Sequence, residues 1–307
     1  MSGNYGPFEA MLGFRSEGAS EFRGLFGPGT WFLLRFLNLL GRPPLRFLVA
    51  AQEGRIVGTT LIVPWERSGY VLGVGVRPSH RRQGLAGRLV AWAEELALQR
   101  GKEWAVLDVE EDNLPAVTLY LARQYGTIQK TLWFRCAPPA GQAGADPPSA
   151  QVEVVGKAGR KGAALWCARQ VPATVTSVLP PSAARLSHLE SLGQFPGVTR
   201  ETWAAGPHDA RVGYLAAYWR GKERPGVLFL PALGAQATRA DVLRLVQEGV
   251  AWLRSRGSPE VLLAVPDPAR SALPFLAEQG FSPQLTTLTM ARRLRGAGSP
   301  APAPKRP

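Results

Sequence analysis

Along residues 45–136 the apolar positions switch between the two-residue period of a strand and the three-to-four-residue period of a helix. "LRFLVAAQEGRIVGTTLIVP", residues 45–64, reads as a hairpin turning at Gln52-Glu53-Gly54. "YVLGVGV" follows as a strand. Over residues 84–100 the period lengthens. Leu85, Leu89, Ala93 and Leu96 fall on one side at steps of three and four, which predicts a helix. "WAVLDV" is a short buried strand, residues 114–124 form a second helix, and "TIQKTLWFR" closes the series as a strand. Upstream, "EFRGLFGPGTWFLLRFLNLL" reads as helical. The sum is an α/β (α+β mixed sheet) layout, a central mixed sheet flanked by helices.

The same order returns further on. Gly101 and Gly257 each follow an arginine, an offset of 257 − 101 = 156. At that offset "VL" at 71 meets "VL" at 227 and "RLV" at 88 meets "RLV" at 244. Leu107, Val109 and Ala116 meet Leu263, Val265 and Ala272, and no gap is needed from Arg55/Arg211 to Phe134/Met290. The chain therefore reads as a duplicated domain. The predicted layout is a first domain at 1–137, a Pro/Gly/Ala linker at 138–151, a second domain at 152–295 and a disordered tail at 296–307.

Composition adds one unusual feature. The 307 residues carry a formal charge of +13, with pI ≈ 10.5. Nucleic acid, an anionic membrane and a polyanionic small ligand all fit that balance. The basic residues are nevertheless spread without a block of five like charges, which a host with Arg-rich coding would also give. The aromatics are not interleaved with arginine on one face as a base-stacking platform requires, so nucleic acid is not the expected partner. Two cysteines and three histidines give no metal-ligand or disulfide framework, and no metal is expected. The start "MSGNYGPFEA" lacks a secretory layout. The longest apolar run, residues 31–40, is broken by Arg35 and Asn38 and falls short of the ~20 residues of a membrane span. A soluble cytoplasmic protein without a transmembrane segment is expected.

Candidate chemistry lies where "YVLGVGV" breaks into "RPSHRRQG" and restarts as a helix. Gly84, Ala86 and Gly87 sit in the first helical turn, where backbone N–H groups lack helical partners and the helix dipole is positive. Arg81, Arg82 and Gln83 add donors, so the turn suits a phosphate or pyrophosphate. No Gly-Lys-Ser/Thr and no Gly-x-Gly-x-x-Gly is present there, and an ordinary Gly-containing turn with surface arginines fits the same residues.

The fuller pattern Val76-x-Pro78-x-x-Arg81-x-x-Gly84-x-Ala86 resembles motif A of the GNAT superfamily of N-acetyltransferases. "LDVEEDNLPAVTLYLARQY" is similar to that family's next strand, turn and helix, with Asn113 and Tyr120 in the Asn-x₆-Tyr positions. The resemblance covers about residues 20 to 135, and the repeat extends it weakly to about 290. It implies two tandem GNAT-like domains and acetyl-CoA as co-substrate, with transfer to a primary amine on a small molecule or peptide by direct attack in a ternary complex. It implies that Arg81, Arg82, Gln83, Gly84, Ala86 and Gly87 cradle the pyrophosphate. Val74 and Val76 would pair with the pantetheine arm, and Gly75 fits a bulge or close approach there. Asn113 is a helix cap, a cofactor contact, or both. Tyr120 becomes the acid for the leaving thiolate.

Many relatives carry a carboxylate on the motif A strand, where Tyr70 or Leu72 stands here. The base is therefore sought among Glu66, Asp108, Glu110 and Glu111, with Glu66 and Glu110 preferred. Gln124-Tyr125 replaces the family's frequent Gly-Phe, so that helix end is expected to differ. In the second copy Arg81, Gly84, Gly87, Asn113 and Tyr120 become Ala237, Ala240, Leu243, Ala269 and Leu276, which predicts a degenerate copy without catalysis. A non-catalytic CoA-binding or scaffold protein is the alternative. The segment "GLFGPGTWFLLRFLNLL" is a candidate wall of the acceptor site.

Overall fold

The computed structural model describes residues 46–136, 150–180, 198–222 and 224–294. The helix expected over residues 21–40, with its acceptor-site role, lies outside the described residues, as do most of the linker and the C-terminal tail. Among the described residues no helix is long and apolar enough to cross a membrane. The chain separates into two compact units.

The amino unit contains β1 (Arg46–Gln52), β2 (Arg55–Pro64), β3 (Ser68–Val76), α1 (Leu85–Gln99), β4 (Trp104–Glu110) and α2 (Leu114–Ala122). β1 and β2 form the expected hairpin. Gln52 faces Arg55, and Glu53 and Gly54 at φ 51° and 72° make a two-residue turn whose left-handed residues match the twist of the strands. β2 pairs antiparallel with β3, and β3 pairs parallel with β4. α1 covers the sheet with Leu89, Val90, Ala93 and Ala97, buried against Ile62, Val71, Ala105 and Leu107. It ends at a left-handed Gly101, as the sequence suggests. α2 stops at Ala122, short of the expected 124, and Gln124 takes the left-handed conformation at φ 66°.

The carboxyl unit repeats this order. β6 (Val152–Val154), α3 (Arg160–Gln170) and α4 (Ala173–Val178) precede β7 (Thr199–Ala205), β8 (Gly213–Trp219), β9 (Gly226–Leu233), α5 (Arg239–Ser255), β10 (Val261–Pro266) and α6 (Leu273–Leu276). The left-handed pairs Gly101/Gly257 and Gln124/Gly280 keep the 156-residue offset.

The units are not contiguous in sequence. β5 (Gly126–Cys136) enters the carboxyl unit at Gln129, where it pairs antiparallel with β10 from Val261↔Cys136 to Pro266↔Thr131. β11 (Ser282–Arg293) enters the amino unit at Leu288, where it lies beside β4. Relative to boundaries drawn at the linker, the two halves have traded their last strands. Leu288, Met290 and Leu294 are buried in the amino unit's core with Tyr120 and Val109. Glu94 on α1 is buried, and its carboxylate accepts from Arg123 Nη2 and from Arg292 Nη1, each at 2.6 Å. Leu294 N donates to Glu103 O at 2.8 Å.

Burying three large apolar side chains is worth roughly 1.5–3 kcal/mol each. That total is comparable with the whole stability of a domain, about 5–15 kcal/mol. A chain ending at Thr287 should therefore lose amide-exchange protection over residues 89–97 while residues 242–253 stay protected. Equal protection in the two forms would show that the exchanged strand is dispensable.

Candidate functional site

A parallel pair of strands opens at the site because one residue too many is placed on β3. β2 and β3 are in register at Leu61↔Leu72 and again at Thr59↔Gly75, so Thr60 stands opposite both Gly73 and Val74. Gly73 has φ 59°, which a side chain rarely adopts. Buried Thr60 fixes the bulge by donating Oγ1 to Leu72 O at 3.1 Å. The bulge lies at Gly73, and Gly75, the position singled out in the sequence, remains paired with Thr59. Beyond Val71↔Leu107 the β3–β4 pairing stops, although β3 continues to Val76 and β4 to Glu110. A cleft opens between two strand edges, with Val74 and Val76 along one side.

After β3 comes the turn containing Pro78–His80, and then α1. Gly84 is the cap residue at φ 74°, with no side-chain cap and no acid in the first turn. The first helical bond runs from Arg88 N to Gly84 O at 3.1 Å, so the N–H groups of Leu85, Ala86 and Gly87 have no acceptor within the helix. Arg82 is exposed and left-handed at φ 63°. Arg81 Nε donates to Val76 O at 3.1 Å, which ties the turn to the end of β3. Gln83 Nε2 lies 3.5 Å from Ser79 O, at the limit of a hydrogen bond. A Cβ at Gly87 would lie 3.6 Å from Leu119 Cδ1, so α2 packs against the start of α1. Beside the turn is a hollow of ≈ 320 Å³ lined by Arg55, Arg77, His80, Ser79, Gln52 and Glu53 with Val57 at its floor. The arrangement can hold an extended anionic ligand, with its charge at the helix terminus and its chain in the cleft.

Asn113 caps α2, its side chain accepting from Ala116 N at 3.4 Å. Tyr120 is buried, its ring 5.9 Å from that of Tyr125, and burial pushes its phenol up to about 12. Glu110 ends β4 at the open end of the cleft. Burial, and then the charge of Asp112, raise its carboxyl above the usual range. Glu66 is exposed and precedes the first residue of β3, at the closed end of the strand pair. It lies in the turn closed by the hydrogen bond from Trp65 N to Ser68 O, between β2 and β3. Two groups that the sequence did not pair do meet at the cleft: Tyr70 on β3 donates its hydroxyl to Asp108 Oδ2 on β4.

The carboxyl unit keeps the strand geometry and closes the anion turn. Leu215 stands opposite both Leu230 and Pro231, and parallel pairing of β9 with β10 stops at Phe229↔Ala264. Every residue of both strands is buried. α5 starts at Arg239, which the offset maps to 239 − 156 = 83, two residues ahead of α1's start. Thr238 Oγ1 accepts from Asp241 N, and the Asp241 carboxylate accepts from Thr238 N at 2.9 Å. This capping box uses one first-turn donor, Asp241 N, together with Thr238 N, and places a carboxylate at the helix terminus. A Cβ at Gly234 would lie 3.4 Å from Trp166 Cζ2, so α3 packs over the end of β9. Ala269 and Leu276, the counterparts of Asn113 and Tyr120, are fully buried apolar residues. The Thr-x-x-Asp spacing was a readable sign of this cap in the sequence.

Residues 14–126 match the acetyltransferase (GNAT) family model. The chain is 37% identical over 134 residues to the mycothiol acetyltransferase of Streptomyces bingchenggensis, a match covering 42% of this chain and 44% of that protein. It is 28% identical over 203 residues to the acetyl transferase GW6a of Oryza sativa subsp. japonica, covering 64% and 45%. These matches span less than half of each relative's own length. Among solved structures, a tandem GNAT protein from the clavulanic acid biosynthesis pathway superposes with TM-score 0.58 at 18% identity, covering 83% of this chain and 85% of that one. A GCN5-related N-acetyltransferase from Sphaerobacter thermophilus gives 0.59 at 16%, covering 95% and 94%.

Loss of the Thr238 cap should cost about 1 kcal/mol. In Thr238→Ala the unfolding transition of the carboxyl unit should move to lower denaturant with that of the amino unit unmoved. A shift in the amino unit's transition alone would contradict the assignment of the cap.

Proposed function

We propose that the amino unit is a GNAT-family acetyltransferase that moves the acetyl group of acetyl-CoA to a primary amine by direct attack in a ternary complex, a reading supported by the family-model match and the acetyltransferase relatives. The observation that carries this reading is the contrast between two homologous helix ends. α1 begins uncapped, behind an open strand cleft, whereas α5 begins under its own carboxylate. One cofactor per chain follows, bound by the amino unit.

In this reading the N–H groups of Leu85, Ala86 and Gly87 hold the pyrophosphate, with Gln83 and Gly84 at its side and Arg82 supplying charge. Arg81 shapes the turn through Val76 O. The edge of β3 around Val74 and Val76 takes the pantetheine arm. Asn113 acts through its cap, by fixing where α2 begins.

An amine with pKa ~10.4 is mostly charged at pH 7, and deprotonating it costs about 4–5 kcal/mol. Glu110, with its raised carboxyl pKa at the cleft mouth, takes that proton, directly or through a water. As the C–N bond forms and the C–S bond breaks, Tyr120 faces the leaving sulfur. At about 12 its phenol is ~3.5 units above a thiol of ~8.5. Complete proton transfer to a free thiolate would be uphill by about 5 kcal/mol. Tyr120 therefore acts as a hydrogen-bond donor to the developing charge, and the thiolate takes its proton in the end from solvent. One of the two protons lost by the ammonium is released to solvent, and the other balances the thiol.

At about 100 times its dissociation constant, acetyl-CoA should stabilise the amino unit by roughly 2.7 kcal/mol. Its unfolding transition should rise by several degrees, with titration calorimetry giving one site per chain. Gly84→Glu should abolish both signals, since it puts a carboxylate on the anion site at φ 74°. No shift at saturating acetyl-CoA would move the scaffold reading to first place.

Tyr120→Phe should lower kcat at least tenfold while acetyl-CoA affinity holds within about twofold. Tyr120 ionises only near 12, so it should contribute no limb to the rate profile between pH 6 and 10. The acid limb should instead reflect Glu110 above the usual ~4.3 of a glutamate and disappear in Glu110→Gln. A Glu110→Gln profile superposable on the parent's would remove it as the base.

A further inference from the structure

The strand cleft has a closed end, and a carboxylate lies beside it. Asp108 follows Leu107, the last β4 residue paired with β3, and Tyr70 precedes Leu107's partner, Val71. Tyr70 is completely buried. Burial first, then the Asp108 charge and the hydrogen bond to it, hold its phenol well above its usual pKa, so it is a permanent donor. That donation fixes one carboxylate oxygen, Oδ2. The other, Oδ1, is buried with no hydrogen-bond partner, and Asp108 makes no ion pair among the described residues. Burying a carboxylate oxygen without a donor costs several kcal/mol, a large fraction of a domain's stability. Such an atom calls for a donor, preferably a cationic one.

Strand alternation puts Glu110 on the same face as Asp108, two residues nearer the cleft mouth. The opposite face carries Val71, Leu107 and Val109, packed in the core against α1 and α2. The face with Tyr70, Asp108 and Glu110 is thus the acidic face of the opening.

We propose that Asp108 Oδ1, held by Tyr70, is the anchor for the acceptor's ammonium group, so that the acceptor is an amine arriving as a cation. This rests on the proposed acetyl transfer and deepens it. β3 carries no carboxylate of its own here, and the adjacent strand supplies one across the gap. A ligand chain laid along β3 from the α1 terminus reaches the closed end after the bulge, about four residues or 13 Å from Val76. There an ammonium on Asp108 would stand next to the group being transferred. Asp108 binds the nitrogen, and Glu110 receives the proton that leaves it. Tyr70 is a positioning residue, because it acts only through the carboxylate it holds.

The test uses the full chain with saturating acetyl-CoA and a panel of primary amines: ethylamine, phenethylamine, glucosamine and a lysine peptide. CoA thiol release is read for the parent, Asp108→Asn and Tyr70→Phe. For each amine accepted by the parent, Asp108→Asn should lower kcat/KM at least a hundredfold, with a rise in KM. Acetyl-CoA affinity should stay near its parental value, and the melting temperature should not fall, because the buried charge without a donor is gone. Tyr70→Phe should lower kcat/KM about tenfold through a rise in the amine KM, with kcat and acetyl-CoA affinity near parental, because the carboxylate keeps its charge and loses only the donor that orients it. A merely structural tyrosine would lower kcat and acetyl-CoA affinity along with it.

Asp108→Asn within threefold of the parent on every accepted amine overturns the anchor and leaves the transferase standing. An unchanged amine KM in Tyr70→Phe overturns the positioning role. Acetyl-CoA binding without turnover of any amine by the parent overturns amine transfer and the anchor with it.

Discussion

The extra residue at Gly73 is the constraint on which the site depends. A regular β3 would keep pairing with β4 to its end, and no edge would be left for a second chain. The left-handed glycine, opposite one threonine whose hydroxyl holds Leu72 O, ends that pairing at Val71. The cost is a few unmade ladder hydrogen bonds, each worth about 1 kcal/mol net. The gain is a cleft whose edge groups can pair with a ligand's amides and whose end points toward an uncapped helix. Position and charge are thus built from backbone, and the side chains of the turn mostly shape it. Arg81 shows this: its Nε hydrogen bond is spent on Val76 O.

Much of the architecture was legible. Hydrophobic period placed the hairpin, the two helices and the strands of residues 45–136 to within two residues. The two-residue turn at Glu53-Gly54 and the left-handed Gly101 are local features, and local signals carry them. The start of α1 was legible for the same reason, since small residues and the new helical period adjoin in sequence. What the sequence hid is long-range. Tyr70 and Asp108 are 38 residues apart, and only the parallel register brings them together. The bulge was read at Gly75 because two glycines alternate in "VLGVGV", and only the pairing with Thr60 tells them apart. The traded last strands were invisible to any pattern, since each strand's own period is correct wherever it pairs.

The two copies show how little separates a ligand site from a closed one. Both keep the bulge, the truncated parallel pairing and the helix that follows. The carboxyl unit's helix begins two positions earlier by the repeat offset, and the side chains of Thr238 and Asp241 accept from each other's N–H groups. An internal cap is always present at high effective concentration, so a bound anion would have to displace it and face its charge. Replacing glycine and arginine by alanine removes attraction, whereas the carboxylate adds repulsion.

The exchange of strands gives a physical reason for a chain to keep a copy with a closed site. Leu288, Met290 and Leu294 complete the amino unit's core, and Arg292 joins Arg123 on buried Glu94. Without Arg292 the buried Glu94 carboxylate would keep Arg123 as its partner but lose its second charged donor. Residues 129–136 reciprocate in the carboxyl unit through their pairing with β10. Each unit is therefore incomplete without a strand encoded in the other half. Drift at the second helix terminus can close its anion turn without disturbing the first site. Loss of the second half would remove a wall of the core in which Tyr120 is buried.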